Sequence, residues 1–135
     1  MSNFNEDELL LRQVHPSFIQ EGRVTSLAFR PTPKDEKKLS VNRRSLTTPE
    51  KSFELHTEQR GLRSAVVWGV SVGEVSEMQE LTVEEDPVVA PVEDLSHALI
   101  DFSKIDSESR IKTVASKLAD KARLRGCLFP SSEKK

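Results

Sequence analysis

At 135 residues, with 36% hydrophobic and 31% charged side chains, the chain suits one folded domain and not two, and is long enough to bury a core without metals or disulfides. Twenty basic residues against 22 acidic ones, a formal charge of -2, exclude the broad positive field that draws proteins onto nucleic acid or anionic membranes. One cysteine, Cys127, excludes an internal disulfide framework and a cysteine-rich zinc site.

The N-terminal run MSNFNEDELLLRQ is acidic where a secretory leader is basic, and no apolar stretch approaches the roughly 20 residues of a membrane span. A cytoplasmic protein with no membrane attachment is expected. Residues 1–12 read as a polar arm, with Leu9, Leu10 and Leu11 as a short docking turn. A single domain then runs over residues 13–129, followed by a disordered tail at 130–135. Within SFIQEGRVTSLAFRP, Glu21-Gly22 signals a turn between two β-prone runs. Alternation in RVTSLAF predicts a strand with Thr25, Leu27 and Phe29 on one side and Val24, Ser26 and Ala28 on the other. PTPKDEKK is a charged connection, and KLSVNRR is a strand that turns Leu39 and Val41 inward and Ser40 and Asn42 outward.

SLTTPEKSFELHTEQRG carries helix punctuation at both ends. Thr48 is a good N-cap, Pro49 suits the first helical position, and Gly61 suits the residue after the last turn. Few apolar residues lie between them, and Phe53 with Leu46 and the stem of Arg60 would form the inward stripe. RSAVVWGVSVGEV is the strongest strand pattern, and small or apolar residues on both faces predict a central strand. Its Gly69 marks a close backbone approach or a bulge, and Trp68 reads as core. ELTVEED is a short strand and PVVAPVED a proline-broken loop. SHALIDFS is a strand with Ala98, Ile100 and Phe102 on one face and His97, Leu99 and Asp101 on the other. The best helix spans about residues 106–125, where Ile111, Val114, Ala115, Leu118, Ala119 and Ala122 recur at helical spacing before Gly126. These elements predict an α+β fold: one domain, a five- or six-stranded mostly antiparallel sheet and two helices, the C-terminal one packed on the sheet.

Familiar catalytic signatures are missing: GxxxxGK, GxSxG and HExxH do not occur, and the chain has no tyrosine. His15, His56 and His97 lack a second histidine or cysteine at metal-ligand spacing, so no metal and no cofactor are expected. His97 and Asp101 share a strand face, but four strand residues span about 13 Å, so they are not a dyad with each other. Cys127, in GCLFP, reads as a small core residue. The charged outer side of the last helix, with Lys117, Asp120, Lys121 and Arg123, reads as a solvated face, and nucleic acid is not an expected partner.

Two histidines brought together from separate segments would suit metal-independent acid–base chemistry, because an ordinary imidazole titrates near pH 6.5 (roughly) and offers both forms. The candidate catalytic residues are therefore His97, His56 and His15, with Arg43, Arg60 and Arg63 as candidate anion-binding groups. Each histidine alone has an ordinary structural reading, and the arginines have acids such as Glu50, Glu54 and Glu58 to pair with.

On VHPSF, GRVTSLAFRPTPKDEKKLSV, TPE, HTEQRG and HALIDF, followed by a long C-terminal helix, the chain resembles a family of small bacterial single-domain proteins. The resemblance covers about residues 13–126 and implies no activity and no catalytic residue. The leading functional expectation is a small cytoplasmic binding or accessory protein of a bacterial protein system, with a protein partner. The alternative is a metal-independent enzyme acting on a phosphoester or nucleotide.

Overall fold

Apolar alternation in KLSVNR and HALID, and the apolar runs in LLLRQV and VVWGVS, mark four of the five strands of the sheet. The structure is a computed structural model and describes residues 4–31, 37–59, 61, 66–90 and 92–129. Its strands are β1 (Leu9–Val14), β2 (Ile19–Gln20), β3 (Arg23–Val24), β4 (Lys38–Arg43), β5 (Val66–Ser71), β6 (Thr82–Glu85) and β7 (His97–Asp101). The helices are α1 (Pro49–Glu54), α2 (Val72–Ser76) and α3 (Glu108–Arg125). Five strands form one sheet in the order β5-β1-β4-β7-β6, with every neighbouring pair antiparallel, and β2 and β3 form a separate hairpin. The α+β class, the antiparallel sheet and the C-terminal helix against it match the expectation from sequence.

One face of this sheet is the core. Leu10, Val14, Leu39, Val41, Val70, Ala98 and Ile100 are buried there with Trp68, in one cluster with Ile111, Val114, Ala115, Leu118, Ala119 and Ala122 of α3. All six α3 residues of the predicted stripe are buried. Each fully buried Val, Leu or Ile side chain contributes about 1.5–3 kcal/mol relative to exposure, so this stripe is what holds the helix down. Ser107 caps its start, and Gly126, at a φ of 95°, ends it. Ion pairs fasten both ends: Arg110 to Glu80 at 2.7 Å and Arg125 to Glu74 at 2.9 Å. The opposite face of the sheet carries Gln13, Ser40, Asn42 and His97 beside the buried Leu11 and Val67, and α1 lies over part of it through Ser52.

Several local readings are corrected. The polar arm expected over residues 1–12 is interrupted from Leu9 onward by β1, which sits between β5 and β4 with Leu10 and Leu11 fully buried. The acidic run before it disguised a strand whose apolar residues are consecutive rather than alternating. RVTSLAF is a strand only at Arg23–Val24. Ser26–Phe29 closes into a 3₁₀ turn that buries Ala28 and Phe29 and leaves Leu27 exposed. β5 is an edge strand, not a central one, and its outer edge is covered by the chain's end: Val67 N–H donates to Phe129 O at 2.7 Å and Leu128 N–H to Val67 O at 2.8 Å.

That cover explains Gly69, where a Cβ would stand 2.8 Å from Leu128 Cδ1 and 3.1 Å from Leu10 O. Strand β5 also ends sooner than expected, because Ser71 and Glu74 form a capping box that starts α2. Leu46, expected on the inward stripe of the first helix, is exposed, while Phe53 packs on Phe129 with ring centroids 5.0 Å apart. Cys127 packs against the core cluster, and burial pushes its thiol pKa up. The expected tail at 130–135 lies outside the described residues. No helix among them is long and apolar enough to cross a membrane.

Candidate functional site

Strands β1 and β4 are registered only at Leu10–Arg43 and Leu11–Asn42. Continued, that register would set Gln13 against Ser40. Instead the Arg12 guanidinium enters, donating from Nη1 to Ser40 O at 2.9 Å and from Nε to Ala28 O at 2.8 Å. A side chain thus occupies a place where ladder bonds would continue, and the polar face of the sheet opens into a cleft of about 230 Å³. Gln13 and Asn42 reach it from the strands, Ser52 and His56 from the helical segment above, and Asp94 and His97 from the β6–β7 connection and the start of β7, while Arg12 borders it although alternation places it with Leu10 and Arg43 on the core face.

The walls are tied together by a directed chain of hydrogen bonds. Gln13 Nε2 donates to Ser52 Oγ at 2.6 Å, and Ser52 Oγ donates to Asn42 Oδ1 at 2.7 Å. Asn42 Nδ2 donates to Asp94 Oδ2 at 2.8 Å and to Ser96 Oγ at 2.9 Å, and Ser96 Oγ donates to Asp94 Oδ1 at 2.6 Å. Every donor in the chain points towards Asp94, so a buried carboxylate collects the dipoles of the network. Burying such polar groups is tolerated only because each finds a partner. Asp94 is held in place by its own loop, which pairs Val88 with Asp94 through two backbone hydrogen bonds of 2.9 and 2.7 Å. Proline had marked this stretch as loop, and the bridge gives the loop its shape.

His97 stands beside Asn42 in register and has a carboxylate partner. Its Nδ1 lies 3.0 Å from Asp86 Oδ2 and 3.0 Å from the Asp86 carbonyl oxygen. Both oxygens can only accept, so Nδ1 carries a proton, and the neutral ring has its lone pair on Nε2. Nε2 makes no hydrogen bond within the described residues. The side chain is 14% exposed while that of Asp86 is 51% exposed, which makes Asp86 an outer support for an inner imidazole. His56 sits in the π turn Leu55–Gln59 that widens the end of α1, the kind of irregular helical turn that re-aims side chains. The Thr48 cap of that helix is as expected, accepting from Lys51 N–H at 3.1 Å.

Of the candidate residues, His56 and His97 line the one cleft. His15 does not line it: its Nδ1 accepts from Ser17 N–H at 3.1 Å and caps the turn Pro16–Phe18. Arg43 is not an anion clamp for the cleft. Strand alternation turns it to the face opposite Asn42, where it grips Glu8 with two bonds of 3.0 Å and lies 4.3 Å over the Phe4 ring. Arg60 and Arg63 lie outside the described residues.

The Glu8–Arg43 pair gives a pH prediction. Burial pushes the Glu8 carboxyl up, but hydrogen bonds from Arg43 and Ser45 outweigh this and hold it below its ordinary value of 4.5. A carboxyl depressed by folding adds stability that is present above its unfolded value and is lost as pH falls through the folded one. Glu8→Gln is expected to lower stability at neutral pH and to flatten the loss on acidification below about pH 4.5. Urea unfolding across that range checks it: parallel wild-type and variant curves would mean that Glu8 carries no linkage.

Sequence reasoning missed Gln13, Asn42, Ser52, Asp86 and Asp94 as site residues. A usable signal existed for Asp86. Setting Val83 opposite Ile100 in an antiparallel pair, the register observed, places Asp86 across from His97, and Asp86 N–H indeed donates to His97 O at 2.9 Å. Among the described residues no group of three His, Cys, Asp or Glu side chains could hold a metal ion. No family model, curated protein or solved structure matches this chain.

Proposed function

We propose that this chain is a small-ligand-binding protein that takes the anionic, phosphate-like end of a small polar molecule in the β1–β4 cleft. The observation that carries this reading is that His56 and His97 line one cleft, bordered by Arg12, whose single described carboxylate, Asp94, already accepts hydrogen bonds on both oxygens. The Arg12 guanidinium carries positive charge at the edge of the cleft, and an imidazole adds charge and an N–H donor for a phosphoryl group only in its protonated form. The size agrees: about 230 Å³ is below the roughly 300–1,000 Å³ of pockets for drug-sized ligands, and matches a small metabolite or one end of a larger one. The binding or accessory role expected from sequence thus becomes a role for a small-molecule site.

Inorganic phosphate and adenosine monophosphate, titrated into the ¹⁵N-labelled chain, are the test. Imidazole resonances of His56 and His97 are expected to move in a saturable way while those of His15, outside the cleft, stay fixed. Movement of all three alike, or of none at millimolar ligand, would overturn the reading.

A further inference from the structure

We infer that the cleft is catalytic as well as binding, with His97 as general base for phosphoester hydrolysis and Asp86 as the residue that positions it. This rests on the anion-binding reading above and adds a reaction to it.

The geometry is that of an imidazole held by its outer nitrogen. Asp86 receives the Nδ1 proton twice, through its carboxylate and its carbonyl, each at 3.0 Å. The two contacts fix both the tautomer and the plane of the ring, and the backbone bond from Asp86 N–H to His97 O locks the two residues to each other. What remains on this cleft-lining residue is Nε2 with its lone pair, the form a base requires. Asp86 follows β6 directly and His97 opens β7, so the pair is mounted on a sheet hairpin and not on a free loop. His15 makes the contrast. Its Nδ1 is an acceptor, so its proton sits on Nε2, the opposite tautomer, in a purely structural cap.

In the reaction, a water held beside the bound phosphoryl group gives a proton to His97 Nε2 as its oxygen bonds to phosphorus. The ester P–O bond breaks, and its electron pair leaves with the alcohol oxygen. That oxygen takes a proton from His56, in its imidazolium form on the same cleft. The products are the alcohol and the shorter phosphate, and the two histidines exchange their protons with solvent to reset.

Methyl 4-nitrophenyl phosphate isolates the base, because nitrophenolate departs without needing a proton. The full chain is expected to hydrolyse it, and His97→Gln to slow it by roughly 10²-fold or more. Asp86→Asn is expected to lower kcat with KM unchanged, and His56→Gln, which removes an imidazole from the binding cleft, to raise KM. Asp86 is half exposed, so its variant tests the role even if His97→Gln fails to fold. Long-range ¹H–¹⁵N spectra supply the readout a structural role would not move. His97 should show a protonated Nδ1 and bare Nε2, His15 the reverse, and Asp86→Asn should shift the His97 tautomer population. An Nε2–H tautomer at His97, or no His97-dependent turnover, overturns the inference. Phosphate-induced shifts at His56 and His97 would in that case still support binding, and their absence would sink both readings.

Discussion

Phe29→Ala is expected to cost about 3–5 kcal/mol of stability, whereas Leu27→Ala, two residues away, should cost less than about 1 kcal/mol. The contrast follows from the 3₁₀ turn at Ser26–Phe29. A strand would put positions 27 and 29 on the same side, and both would be core or both exposed. In a turn of three residues, successive side chains rotate by about 120°, and the two separate. Phe29 is fully buried and Leu27 is 46% exposed. Phe29 also belongs to the cluster that includes the α3 stripe, so its removal opens a cavity beneath the helix. Urea unfolding of both variants decides it. Equal losses would restore the strand, while a small loss at Phe29 would mean that α3 does not rest on this turn.

The same segment shows what the sequence made legible and what it did not. Signals confined to one helix were readable: the apolar spacing from Ile111 to Ala122, the Thr48-Pro49 start, and Gly61 and Gly126 at positive φ after the helical segments. In β7, Ala98 and Ile100 alternate with His97 and Leu99 as read, because period two in a buried strand is written residue by residue. RVTSLAF failed because alternation over seven residues does not distinguish a strand from a short strand entering a tight turn. β5 was misplaced for a different reason. Apolar residues on both faces indicate cover on both faces, but the cover for its outer edge comes from Leu128 and Phe129, far along the chain from Val67, which they pair with.

Part of the candidate cleft's lining was legible. His56 and His97 are titratable residues that any reading would flag, and they do line one cleft. Their supports were hidden, because Asp86 meets His97 only through hairpin register and Gln13, Asn42, Ser52 and Asp94 meet through three different connections. Arg43 looked available in sequence because nothing there reveals which strand face it takes. A single residue of offset from Asn42 sends it to the other side of the sheet, onto Glu8.

Asn42→Asp is expected to cost roughly 3–5 kcal/mol at neutral pH, the scale of an uncompensated buried charge. Asn42 is 9% exposed, and its Nδ2 stands 2.8 Å from Asp94 Oδ2. The substitution changes almost no volume but replaces a donor with an oxygen, so two carboxylates face each other and the Ser96 bond also loses its donor. Ser52 can still donate to the remaining oxygen, which confines the damage to the Asp94 side of the network. Two carboxylates this close share a proton, and the pair's affinity for that proton is raised by folding. The sign is therefore opposite to that at Glu8. A group whose pKa is raised in the folded state loses stability as pH rises past its unfolded value and recovers it as pH falls. The gap between wild type and Asn42→Asp should be widest near neutrality and narrow on acidification, while phosphate binding at neutral pH is lost because the cleft gains a negative charge. Urea unfolding at matched pH values measures the gap directly. A cost below about 1 kcal/mol, or one independent of pH, would mean that the network is solvated, and a solvated network could not hold the walls of the cleft together.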